Sequence, residues 1–195
     1  MIYKCFELEK IAPMVKFNFA VLPADTLYAL SINIYSDKSK DIYTIKGRSE
    51  SIPVPVGVKD INMLEEIAEP VDFVYKILKE DWSYLITIVL KNKKVPKYIA
   101  GDTVGIRIPK NEQIKKIMEY AGPITLTSAN LHGGKNPVTV LDSYEQLKDK
   151  VDIYLDCGPC SGIPSTVIDL TGKTPRLIRE GAIPFNRVIS LYESK

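Results

Sequence analysis

Thr103-Val104-Gly105-Ile106-Arg107-Ile108 alternates at every step between apolar and small or polar side chains, the period-two pattern of a strand with one buried face. Val104, Ile106 and Ile108 fall on the core face, and Thr103, Gly105 and Arg107 on the other. Downstream, Asn111 is placed to cap a helix that carries Ile114, Ile117 and Met118 on one stripe, and Gly122-Pro123 ends it. A strand from Ile124 to Thr127 follows. Strand, helix and strand in succession predict a sheet with helices packed on it, of the α/β or α+β class.

The same interleaving extends in both directions. Phe17 to Leu22 is apolar and aromatic and is closed by Pro23, a buried strand that enters a loop at Pro23-Ala24-Asp25-Thr26 and leaves Thr26 near the strand's C-terminal end. Lys38 to Lys46 suits a short helix, with Ser36 or Asp37 as N-cap and Gly47 at C′, so Lys46 and Arg48 flank a helix end. Val54 to Val58 and Tyr84 to Leu90 read as strands, and Val71 to Lys79 as a helix. Ser128 to Pro137 has loop composition, and Ser143-x-x-Gln146 suggests a capping box for a helix to about Lys148. Val151, Ile153 and Leu155 alternate as a strand. Thr166 to Leu170 and Arg176 to Arg179 form a hairpin across Thr171-Gly172-Lys173-Thr174-Pro175.

At 195 residues, with 45% hydrophobic and 26% charged residues, the chain has the composition of one globular domain spanning residues 1–195. It carries no repeat, low-complexity tract or Gly/Ser linker. A net charge of +2 is too small to supply by itself the phosphate contacts of a nucleic-acid binder, although a cleft can still focus local arginines. No apolar run approaches a membrane span, and Met1-Ile2-Tyr3-Lys4-Cys5 has no signal-peptide character. A cytoplasmic location is therefore expected, and the three cysteines are expected as reduced thiols.

Several short motifs fail on context. Cys157-Gly158-Pro159-Cys160 is the tetrapeptide of thioredoxin-type redox centres, which need a helix N-terminus to stabilise a thiolate. Ser161-Gly162-Ile163-Pro164-Ser165 follows and forms helix poorly, so a tight Gly-Pro loop is expected. Gly172-Lys173-Thr174 and Gly134-Lys135 are not Walker A motifs, because the leading glycine would fall at Val167 and Ala129. One histidine, His132, supports neither a Ser-His-Asp triad nor a zinc site, and no metal-ligating set stands out.

What remains is a group of polar residues at the ends of expected strands: Thr26, Lys46, Arg48, Thr103, Arg107, Ser128, Asn130, Ser165, Thr166 and Arg179. Strand ends are where open sheets gather ligands. Arginine pairs bidentately with phosphate oxygens, and hydroxyls suit a carboxylate or ribose. These residues point to a polyanion with a small polar partner, or to solvated turns.

In order along the chain, Leu22-Pro23-Ala24-Asp25-Thr26-Leu27-Tyr28-Ala29-Leu30, Ile45-Lys46-Gly47-Arg48, Thr103 to Pro109, Thr127-Ser128-Ala129-Asn130, Pro164 to Leu170 and Ile178-Arg179-Glu180-Gly181-Ala182-Ile183 resemble the YrdC/Sua5 family, the threonylcarbamoyl-AMP synthases, in its short single-domain form. The resemblance implies a twisted mixed sheet with surrounding helices and a basic central cavity. It implies a nucleotidyltransferase that joins L-threonine, bicarbonate and ATP, with Mg2+, into L-threonylcarbamoyladenylate and pyrophosphate for the t6A37 modification of tRNA. Carried over by position, Thr26, Arg107 and Thr166 hold threonine. Lys46, Arg48, Thr103, Ser128, Asn130, Asn136, Ser165 and Arg179 hold ATP, and Lys46 and Arg48 carry the catalytic charge; Asn136 stands where the family commonly has Ser. tRNA or the tRNA threonylcarbamoyltransferase machinery are the implied partners. The chain departs from the family pattern at Ala29, Ser31, Ser49, Ile52 and Gly57 and across Trp82 to Thr87. A paralogue that handles carbamoyl-adenylate for another acceptor, or a double-stranded RNA-binding or ribosome-maturation protein, are the alternatives.

Overall fold

A computed structural model describes residues 1–194 as one α/β body built on two mixed sheets. The first runs in the order β1 (Ile2–Lys4), β10 (Ile153–Asp156), β2 (Ala20–Pro23), β3 (Tyr28–Ser31) and β9 (Thr127–Ser128). The second runs β12 (Arg176–Arg179), β11 (Thr166–Asp169), β6 (Ile86–Asn92), β7 (Thr103–Arg107), β4 (Val56–Gly57) and β8 (Ile124–Thr125), with β5 (Ala68–Glu69) also paired to β6. Both sheets mix parallel and antiparallel pairs.

The first sheet is covered on both faces. Val21, Tyr28, Leu30 and Tyr154 enter the larger core that continues to Val56, Ile88, Ile106 and Ile168 of the second sheet. Their strand neighbours Ala20, Leu22, Ile153 and Leu155 pack outward on Ile11, Val15, Ile114, Ile117 and Met118. This two-sided burial explains why β2 is a continuous apolar run, whereas β7 alternates. The helix that Asn111 caps spans Glu112–Ala121, and the Asn111 side chain accepts from Ile114 N at 3.0 Å. Its Ile114, Ile117 and Met118 stripe is fully buried, as the spacing predicts.

The structure corrects four local expectations. The strand expected over Ile124 to Thr127 is two strands that belong to different sheets, because Ile124-Thr125 pairs with β4 and Thr127-Ser128 pairs with β3. Leu126 is the crossover, its N–H held by Pro55 O at 2.7 Å. The capping box lies at Thr139 and Asp142 rather than Ser143 and Gln146, and opens a helix over Val140–Leu147. Asp142 accepts from both the N–H and the hydroxyl of Thr139 at 2.8 Å, and these bonds hold its carboxyl down at about 2. Phe17, expected inside the first strand, lies before it and is exposed.

The fourth correction concerns the thiols. Cys5 and Cys157 are joined as a disulfide with Cα atoms 4.8 Å apart, inside the range that a disulfide requires. The cause is strand register: parallel β1 and β10 set Lys4 opposite Asp156, so the residue directly after each strand is a cysteine. Cys160 is the remaining free cysteine. Burial pushes its thiol up to about 11, and Ser161 to Ser165 directly after it are not helical, so the Cys157 to Cys160 motif is a loop and not a thiolate centre.

Candidate active site

The C-terminal ends of β2 and β7, the loop after the Ile42–Lys46 helix, the start of β11 and the end of β12 surround a cavity of about 370 Å³. Seven of the residues expected from the sequence line it: Thr26, Arg48, Arg107, Ser128, Asn136, Ser165 and Arg179. The rest of the wall is largely apolar, with Leu27, Pro55, Leu126 and Val167 among it. Polar groups that converge between apolar walls are the usual form of a small-molecule site.

Each arginine reaches the wall from a different element and is tied to backbone carbonyls. Gly47 ends its helix in the left-handed conformation, φ +61°, which glycine adopts without steric cost, and turns the chain so that Arg48 faces the cavity. Arg48 Nη2 donates to Ile52 O at 2.6 Å and Pro53 O at 2.8 Å, and its guanidinium lies 5.9 Å from the Tyr43 ring centre. Its buried Nε has no acceptor among the described residues. Arg179 Nη2 donates to Ser165 O at 2.8 Å. Arg107 is 6% exposed; its Nε donates to Tyr84 O at 2.8 Å and its Nη1 to Thr26 Oγ1 at 2.7 Å.

Lys46 and Asn130 stand one layer behind the wall, not in it. The Lys46 ammonium donates to Ser128 O, to Asn130 O at 2.8 Å and to Asn130 Oδ1 at 3.3 Å. Asn130 Oδ1 also accepts from Ser128 Oγ at 2.6 Å. The lysine thus fixes the Ser128 to Asn130 segment and presents the Ser128 hydroxyl to the cavity. Burial, helped by Arg48, pushes the Lys46 amine down to about 7, since a charge loses stability when water is removed.

Two expected ligand residues are placed elsewhere. Thr103 begins β7 opposite Lys91, whereas Arg107 ends the same strand; four residues of strand separate them by about 13 Å. Thr166 is fully buried: its hydroxyl donates to Ile183 O at 2.6 Å and accepts from Gly181 N at 2.9 Å and Ile183 N at 3.1 Å. It braces the chain after β12 and does not line the cavity. Gly181 is needed there because a Cβ would meet Pro164 O and lie 2.6 Å from the Ser165 backbone.

Sequence reasoning missed Thr87 and Asp25. Thr87 shares a 2.8 Å hydrogen bond with Ser165 Oγ on the cavity wall, and only its place in the apolar run of β6 could have marked it. Asp25 carries the ion pair behind Arg107, at 3.2 Å. The departure at Gly57 has a packing cause: a Cβ there would sit 3.2 Å from Leu126 Cδ2, so Leu126 fills the space a side chain would use. No group of three or more His, Cys, Asp or Glu able to hold a metal occurs among the described residues.

Fold and site together define an α/β domain with an arginine-lined cavity between two sheets. The Sua5/YciO/YrdC family, described as telomere recombination, matches residues 18–181, and the chain belongs to that family. It is 36% identical over 174 residues to a Methanocaldococcus jannaschii protein provisionally named a threonylcarbamoyl-AMP synthase, covering 88% of this chain and 83% of that protein. It is 33% identical over 178 residues to the threonylcarbamoyl-AMP synthase of Pyrococcus abyssi, covering 88% of this chain and 52% of that protein. The crystal structure of Pyrococcus abyssi Sua5 complexed with L-threonine superposes with a TM-score of 0.91 at 28% identity, over 99% of this chain and 61% of that one. The chain thus spans only about half to three fifths of the Pyrococcus protein.

Proposed function

We propose that this chain is an L-threonylcarbamoyladenylate synthase, a nucleotidyltransferase that uses L-threonine, bicarbonate and ATP. The observation that carries the reading is the convergence of Arg48, Arg107 and Arg179, from three separate segments, on one cavity that also presents the Thr26, Ser128 and Ser165 hydroxyls. The threonine amine and bicarbonate combine to a carbamate with loss of water. A carbamate oxygen then attacks the α-phosphorus, the new O–P bond forms, the bond to the β-phosphate bridging oxygen breaks, and pyrophosphate leaves. No enzymic nucleophile is required. The protein's work is to align two anions and neutralise them, which fixed cationic donors perform best.

In this reading Arg107 and Thr26 take the amino-acid carboxylate and hydroxyl, and Arg48, Ser128, Asn136 and Arg179 take the triphosphate. Lys46, Asn130 and Thr166 act through the segments they brace. The cavity wall contributes hydroxyls and an amide but no carboxylate, which suits magnesium that arrives on the phosphates of ATP and not a resident metal. Among the described residues, no helix is long and apolar enough to cross a membrane. A product destined for tRNA modification fits a cytoplasmic enzyme that hands it to tRNA threonylcarbamoyltransferase machinery.

The test is pyrophosphate release from purified protein with MgATP and bicarbonate. The expected result is release that depends on L-threonine, with the adenylate found by mass spectrometry; equal release with and without threonine defeats the proposal.

A further inference from the structure

Among the described residues, Arg107 alone of the three cavity arginines is paired with a carboxylate. That carboxylate is not in the wall. Ala24 and Thr26 line the cavity, while Asp25 between them does not, and its side chain is only 9% exposed. Asp25 Oδ1 accepts from Asn111 N at 2.8 Å, and Oδ2 accepts from Lys110 N at 3.1 Å and from Arg107 Nη2 at 3.2 Å. Asn111 is the N-cap of the Glu112–Ala121 helix, whose positive end suits a carboxylate. One buried anion therefore joins the cavity arginine to the start of that helix.

Two consequences follow for what the cavity can bind. A guanidinium has five N–H donors. Tyr84 O takes the one on Nε, Thr26 Oγ1 takes one on Nη1 and Asp25 takes one on Nη2. One donor on each terminal nitrogen is left, and the guanidinium plane is held by acceptors from three separate segments. A fixed guanidinium with free donors on both terminal nitrogens suits the two oxygens of a carboxylate. The second consequence concerns charge: Asp25 compensates Arg107, whereas Arg48 and Arg179 are bonded to carbonyl oxygens and keep their full charge. The cavity is thus polarised, with a strongly cationic side at Arg48 and Arg179 and a nearly neutral side at Arg107.

We infer that Asp25 is a positioning residue that sets ligand preference at the Arg107 side of the cavity, directing it to a singly charged carboxylate and leaving polyphosphate to Arg48 and Arg179. The inference rests on the amino-acid and nucleotide assignment of the preceding subsection and names the group that enforces it. Asp25 touches neither ligand; it acts through Arg107.

Isothermal titration of the full chain with L-threonine and, separately, with MgATP tests this in the native protein, Asp25→Asn and Asp25→Glu. Asp25→Asn should weaken threonine binding at least tenfold while MgATP affinity is unchanged or rises, because Arg107 loses its compensating charge. Asp25→Glu, which keeps the charge, should lose threonine affinity only three- to tenfold. Threonine binding by Asp25→Asn within twofold of native overturns the inference, as does a parallel loss of both ligands, which marks a merely structural residue. If Asp25→Asn does not fold, Asp25→Glu decides alone, and native threonine affinity in that variant is the overturning result. A native protein that binds no threonine defeats the functional reading itself, and is distinguishable from threonine binding that ignores Asp25.

Discussion

Thr166→Val separates a ligand residue from a structural one. Valine matches threonine in shape, so the change deletes the hydroxyl and little else. Three backbone groups lose their partner: Ile183 O, Gly181 N and Ile183 N. A buried group left unpaired costs about 1–3 kcal/mol. Ile183 is buried while Gly181 retains some access to water, so part of the loss is recovered. The expected destabilisation is roughly 2–5 kcal/mol, which for a chain of this size lowers Tm by roughly 5–15 °C. Urea denaturation read by circular dichroism gives the first quantity and calorimetry the second. Threonine titration below the transition should give an affinity within about threefold of native, a change of under about 1 kcal/mol. The opposite pattern, stability within about 0.5 kcal/mol of native and threonine affinity down more than tenfold, refutes the placement and returns Thr166 to the ligand.

Four further outcomes are expected. Gly181→Ala forces a Cβ against the Ser165 backbone at 2.6 Å; it should destabilise the protein and weaken ATP binding with threonine, whereas unchanged calorimetry would refute the close approach. Arg179→Ala removes a charged donor from the cavity and should cost about 1.5–3 kcal/mol in ATP affinity, roughly 10- to 150-fold by filter binding; an unchanged Kd would remove Arg179 from the nucleotide site. Cys5→Ser opens a cross-link spanning 152 residues and should lower denaturant stability by about 2–5 kcal/mol; equal midpoints for native protein with and without reductant would show that the bond contributes nothing. Lys46 binds its proton more weakly folded, at about 7, than at its ordinary 10.5, so the unfolded chain holds the extra proton between those values. Its burial penalty is complete below about 7 and is relieved as pH rises towards 10.5; relative to Lys46→Met, native stability should therefore rise from pH 7 to 9, and parallel curves would contradict it.

How far the sequence reached depends on which interactions are local. The alternation over Thr103 to Ile108 has one core side, and it predicts the faces of β7 correctly. The Asn111 cap and the Gly47 C′ position are also local chemistry and stand as read. Ile124 to Thr127 failed because a strand pattern carries no label for the sheet it joins, and the split at Leu126 is decided by Pro55 O and β3. Thr139-x-x-Asp142 was present in the sequence but uses aspartate where the usual box has Glu or Gln. The Cys5–Cys157 bond depends on the pairing of strands at opposite ends of the chain, and no spacing rule reports that. Polarity at a strand end picked out Arg107, Ser128 and Arg179, which line the cavity, but could not distinguish Thr26, which also lines it, from Thr166, whose hydroxyl is consumed 15 to 17 residues downstream.

The manner in which the arginines are held bears on what such a cavity can do. A backbone carbonyl restrains a guanidinium without neutralising it, so Arg48 and Arg179 pay for their orientation during folding and keep their charge for a ligand. Lys46 extends the same logic: three acceptors meet its three N–H donors, yet all belong to neutral groups, so nothing opposes the positive charge behind Ser128 while the amine, held down to about 7 by burial, is protonated. A polyanion entering between Ser128 and Arg48 meets donors already in place, whose field is concentrated by the apolar wall of Leu126 and Pro55. The net charge of +2 conceals this, because the acidic residues that balance the total lie outside the cavity wall. Asp25 is the exception that comes close, and it stands behind one arginine and no other. On the proposed reading, selectivity between a carboxylate and a triphosphate in one continuous cavity needs no separate pockets. It needs only that cations of equal formal charge be neutralised to different extents by what stands behind them.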